Sequence, residues 1–70
     1  MVCTYTMHAR ERMAQRQITE SEVEATLRDH HTEYLDKKGN LVCIGHPDGR
    51  RIKIVIQKDS HPPHIITAAD

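Results

Sequence analysis

His8, Arg12 and Arg16 stand at i, i+4 and i+8, so on a helix their side chains stack along one stripe. Cleaving RNA without a metal needs a base for the 2′-hydroxyl, an acid for the leaving oxygen and cations for the crowded phosphorane. Imidazole titrates near neutrality and can perform either proton transfer. Guanidinium groups hold phosphate oxygens through paired hydrogen bonds. The stripe is therefore a candidate acid–base and phosphate-gripping set. The same spacing also fits a solvated helix face on which Arg12 and Arg16 pair with acids such as Glu11 or Glu20.

Other chemistry-bearing residues are fewer. Arg51 and Lys53 alternate with an isoleucine row, which puts them on the opposite face of a strand, where they bind phosphate or simply face solvent. Six histidines include His30-His31 and His61-Pro62-Pro63-His64. Zinc sites usually take four Cys or His ligands in close pairs. The chain has no C-x-x-C and its two cysteines are forty residues apart, so neither a metal site nor a cofactor is expected. Cys3 and Cys43 lack an activating neighbour pattern and read as reduced thiols of a cytoplasmic protein rather than as a disulfide scaffold.

The elements that position these groups follow from periodicity. A first helix is predicted from about Thr6 to Gln17, its apolar stripe made of Ala9 and Met13. Thr19-Glu20-Ser21-Glu22 has the form of a capping box opening a second helix. Ile18 is placed for a staple on Val23, and Val23 and Leu27 face the core. From Thr32 the period changes to two: strands are expected at Thr32–Asp36, Leu41–Gly45, Arg51–Lys58 and His64–Ala69. Lys37-Lys38-Gly39-Asn40 and the Asp48-Gly49 loop supply hairpin turns. The expected architecture is α+β: a single small domain over 1–70, with two N-terminal helices packed on one face of a four-stranded antiparallel sheet, in the order α-α-β-β-β-β.

Ten basic and ten acidic residues give a net charge of zero, but they are segregated. Glu20, Glu22, Glu24, Asp29, Glu33 and Asp36 face only Arg28 in one segment; Lys37, Lys38, Arg50, Arg51, Lys53 and Lys58 face only Asp48 in the next. Glu20, Glu22 and Glu24 also suit the positive end of the second helix. A basic face can attract polyanions in a neutral molecule, with strong salt dependence. The absence of Trp and Phe argues against base-stacking platforms. No apolar run approaches the ~20 residues of a membrane span, so no membrane partner is expected. Seventy residues bury a modest core and gain from association.

His8-Ala9-Arg10-Glu11-Arg12-Met13, followed by Arg16-Gln17-Ile18-Thr19-Glu20-Ser21-Glu22-Val23, resembles the small bacterial family called domain of unknown function 4258. That pattern is a helix-one His, an Arg four residues later, and an Arg-Gly-Ile turn into an acidic second helix; Ile66-Thr67 matches its terminal Ile-Thr pair. Gln17 replaces the usual turn glycine; a Gln in a left-handed cap costs ~1 kcal/mol, so the turn is expected to be either rearranged or mildly strained. The layout is similar to the RelE/ParE and BrnT groups of toxin–antitoxin toxins. By that resemblance His8, Arg12, Arg16 and Thr67 are the implied catalytic positions; Arg51 and Lys53, placed by strand alternation, are the candidate substrate-binding residues.

Two functional expectations result. One is a toxin-like, metal-independent endoribonuclease whose partners are RNA and an antitoxin. The other is a non-catalytic module that forms a homodimer or binds another protein through a sheet edge or its polarised surface.

Overall fold

A computed structural model describes residues 3–70. The order is β1 (Thr4–Tyr5), α1 (Met7–Arg16), α2 (Glu20–Arg28), β2 (Thr32–Leu35), β3 (Leu41–Gly45), β4 (Ile52–Ile56) and β5 (His64–Ala69). The class is α+β, as the periodicity predicts, and the two helices and four longer strands fall where expected. The sheet differs: it has five strands in the order β1-β5-β4-β3-β2, and β1 runs parallel to β5. The expectation of four antiparallel strands is corrected on this point. A two-residue strand is too short to show alternation, and its partner lies sixty residues away, with Thr4 opposite His64 and Tyr5 opposite Ile65.

Local chemistry fixes each helix end. The Thr6 hydroxyl accepts from the Ala9 N–H at 2.9 Å and donates to the Ile66 carbonyl at 2.8 Å, so one side chain caps α1 and ties it to β5. Gln17 ends α1 at φ 56°, so the turn keeps the left-handed cap and is strained rather than rearranged. The capping box at Thr19 is complete, with Glu22 accepting from the Thr19 N–H at 3.0 Å and the Thr19 hydroxyl accepting from the Glu22 N–H at 3.1 Å.

Both helices cover one face of the sheet, α1 lying over β5 and α2 over β4 and β3. Between them Ala9, Met13, Ile18, Val23, Cys43, Ile52, Ile54, Ile65 and Ala68 form the buried core. Each fully buried Ile or Val contributes about 1.5–3 kcal/mol. Ile65 and Ala68 share this face although their spacing is odd. Val55 pairs with Thr67 while Ile56 pairs with Ile65, so Ile66 is an extra residue, a bulge that resets the alternation. The bulge sends Thr67 to the other, helix-free face, alongside Val55 and Lys53.

Candidate functional site

The sides of α1 are assigned by its contacts. Ala9 and Met13 point into the core. Arg10 lies over the Tyr5 ring, 4.5 Å from its centroid, and donates to Glu20 of α2 at 2.7 Å. Arg16 points the other way, 3.8 Å from the Asp70 carboxylate just past β5. The His8/Arg12/Arg16 stripe thus runs along the flank of α1 away from α2, beside the outer edge of the sheet. All three residues are exposed. The side chains of His8 and Arg12 make no hydrogen bond or ion pair among the described residues. The predicted alternative partners do not engage them: Glu20 is taken by Arg10, and Arg16 is shared with Asp70.

The edge beside the stripe is itself open. β1 pairs with β5 only at His64 and Ile65, so Ile66–Ala69 have no strand on their outer side among the described residues. Thr67 lies on this edge strand but on the open face of the sheet. Lys53 shares that face one strand inward, where it is opposite Ala69 and half-buried, and Arg51 is exposed just before β4. The fold therefore gathers His8, Arg12 and Arg16 on one flank and Thr67, Lys53 and Arg51 on the other side of the β5 edge. It does not join the six in one pocket. A depression of about 380 Å³ lies elsewhere, lined by Leu35, Leu41, Ile56 and the 57–61 loop.

Arg50 is the functional-looking residue that local pattern does not reveal. Its guanidinium donates to the carbonyls of Arg16 and Gln17, to Asp70 at 2.8 Å, and stands 3.8 Å from Glu22. It joins the α1 C-terminus, the start of α2 and the chain end, contacts separated by 20 to 34 residues. Arg50 holds the Asp70 carboxyl below the ordinary carboxylate range. Its place just after the Asp48-Gly49 turn is a sequence cue to the hairpin alone and says nothing of the contact.

A second grouping also escapes sequence spacing. His30, one residue beyond the C-cap of α2, places Nε2 2.6 Å from Glu33 Oε1. Glu33 lies opposite Cys43 across the β2–β3 ladder. The donor atoms of His30, Glu33 and Cys43 all lie within 4.8 Å of one another. Glu33 raises the His30 pKa above the ordinary imidazole value, against a smaller opposing effect of burial, with the Thr26 carbonyl adding to the rise. Burial pushes the Cys43 thiol up, and Glu33 adds to this. Cys3 is likewise raised, chiefly by burial, so neither free thiol is an activated nucleophile. No helix among the described residues is long and apolar enough to cross a membrane.

Neither a curated protein nor a solved structure matches the chain. The model of one family, Domain of unknown function (DUF4258), matches residues 5–70 and takes in both helices and every strand from β2 to β5. With nearly its whole length matched, this chain belongs to the DUF4258 family.

Proposed function

We propose that this domain is a toxin-like, metal-independent endoribonuclease that works at the edge of its sheet. The observation that carries the reading is the uncommitted state of His8 and Arg12: both are exposed, neighbouring on one helix flank and unpaired among the described residues. In this reading His8 is the general acid or base, while Arg12 and the remaining donors of Arg16 hold the phosphate. The RNA backbone crosses the β5 edge, passes the Thr67 hydroxyl and meets Lys53 and Arg51 on the open face. Basic residues on both sides of one narrow strand support such a path, since phosphates follow a continuous positive track. The protein partner in this proposal is an antitoxin that covers the same edge.

The test is RNA cleavage by the purified protein in excess chelator, beside His8→Ala and Arg12→Ala checked for native circular dichroism. Loss of an acid–base group lowers the rate by ~10²–10⁴-fold. Cleavage at the wild-type rate by folded His8→Ala overturns the assignment.

The outer side of Thr67–Ala69, which carries no strand among the described residues, favours a second reading, a non-catalytic module that accepts an extended segment of a partner, or of a second copy, as an added strand. It predicts a folded, RNA-inert protein whose association is lost when Thr67→Lys puts a charge on the edge strand while leaving its pairing with Val55 intact. A monomer at high concentration, with no partner retained from its native host, counts against it.

A further inference from the structure

We propose that His30, Glu33 and Cys43 form a three-ligand site for a zinc-class divalent cation, clamping the end of α2 to strands β2 and β3. The inference is independent of any activity at the His8 flank.

One imidazole nitrogen, one carboxylate oxygen and one thiolate sulfur is a mixed N/O/S combination that suits zinc better than calcium or magnesium, which take oxygen ligands. The three donor atoms lie within 4.8 Å of one another. Ligands bound at ~2.0–2.3 Å in a tetrahedron stand ~3.3–3.6 Å apart, so an ion is held once the 2.6 Å His30–Glu33 contact opens by under one ångström and donors as far as 4.8 Å apart close by roughly one. Glu33 can make that movement because its side chain is 56 % exposed. Its exposure is also the route by which an ion reaches Cys43, which is 1 % exposed.

The orientation of His30 is the second, separate observation. Its Nδ1 sits 3.1 Å from the Thr26 carbonyl and 3.2 Å from the Leu27 carbonyl. Carbonyls accept, so Nδ1 carries a proton; without an ion Nε2 also donates to the Glu33 carboxylate, and giving up that second proton leaves the Nε2 lone pair facing Glu33. Metal-bound histidines are oriented in this way by an outer carbonyl. Gly45 lets the helix end settle there: a Cβ at that position would stand 3.0 Å from the Asp29 carbonyl and 3.2 Å from the His30 Cα. Binding replaces the thiol proton of Cys43 and any imidazolium proton on Nε2 by the cation, and water takes the fourth position.

A competing pair is nearby. His31 and His46 stack with ring centroids 5.0 Å apart, and His31 Nε2 lies 2.9 Å from His46 Nδ1. Both are exposed, and the pair has no third ligand among the described residues, so it offers only weak two-nitrogen binding.

The experiment is titration of the whole chain with Co²⁺ at pH 7.5, followed by Zn²⁺ displacement, with thermal melts of each form. The expected result is a stoichiometric complex with a thiolate-to-cobalt charge-transfer band and tetrahedral visible absorption, and a higher melting midpoint with Zn²⁺. His30→Ala and Glu33→Gln weaken binding at least tenfold. Cys43→Ala abolishes the charge-transfer band, whereas Cys3→Ser keeps it. Because Cys43 is buried, the exposed Glu33→Gln variant keeps the test decisive if Cys43→Ala fails to fold. Binding without a thiolate band that disappears in His31→Ala/His46→Ala overturns the proposal, as does the absence of binding by the folded wild type.

Discussion

Arg50 and Asp70 meet at 2.8 Å, and through this contact the C-terminal residue is fastened to the end of the first helix. The guanidinium also satisfies the carbonyls of Arg16 and Gln17, which have no partner within α1. Its side chain is 34 % exposed, so screening keeps the ion-pair component small and the carbonyl hydrogen bonds dominate. Arg50→Ala is expected to destabilise the domain by about 1–2 kcal/mol in urea unfolding. Arg50→Lys recovers little of this, because a single ammonium cannot span carbonyls and carboxylate with fixed geometry.

Acid should loosen the same junction. Arg50 lowers the folded-state pKa of Asp70, so its stabilisation is fully present above the unfolded-state value near 4 and fades as pH falls through the lower folded value. Asp36 follows the same sign, since the Asn40 and Lys38 N–H groups hold its carboxylate in the turn after β2. Wild type is expected to lose unfolding free energy between pH 5 and pH 3, with Asp70→Asn/Asp36→Asn losing less over that interval. Equal slopes for the two proteins would show that other carboxylates govern the acid limb.

Gln17 holds φ 56° at the end of α1, where a glycine has no Cβ to strain. Its backbone N–H and that of Ile18 close the helix on Ala14 and Met13, so the conformation is required rather than incidental. Gln17→Gly should therefore stabilise the protein by roughly 1 kcal/mol, raising the melting midpoint by several degrees. A lowered midpoint would mean that the Gln17 side chain contributes contacts outweighing the backbone strain.

What could be read from the sequence was what depends on neighbours along the chain. The capping box at Thr19, the left-handed cap at Gln17, the buried Ile52/Ile54/Ile56 row and the hairpins after Leu35 and Gly45 each rest on residues within a few positions of one another. The missed features are long-range. β1 is defined only by its register with His64 and Ile65, and Arg50 reaches partners up to 34 residues away. His30 and Glu33 looked like unrelated loop and strand residues until the β2–β3 register set Glu33 beside Cys43. For the His8 stripe, spacing did foretell a common exposed flank. Alternation also put Arg51 and Lys53 on the opposite face, but it could not foretell that Thr67 would join them, because the bulge at Ile66 reverses the alternation of β5.

That separation gives the proposed RNA path its sharpest prediction. If the backbone crosses the β5 edge, Lys53 and Arg51 touch phosphates remote from the cleaved bond and act on binding alone. Lys53→Ala and Arg51→Ala should raise KM several-fold with kcat nearly unchanged, whereas Arg12→Ala lowers kcat. Each lost phosphate contact should also flatten the dependence of log K on log salt by about 0.7 for single-stranded RNA. Asp70→Asn tests the opposite sign: removing the carboxylate 3.8 Å from Arg16 frees that guanidinium and should tighten RNA binding. Unchanged salt slopes in both Lys53→Ala and Arg51→Ala would confine any RNA contact to the helix flank and remove the open face from the path.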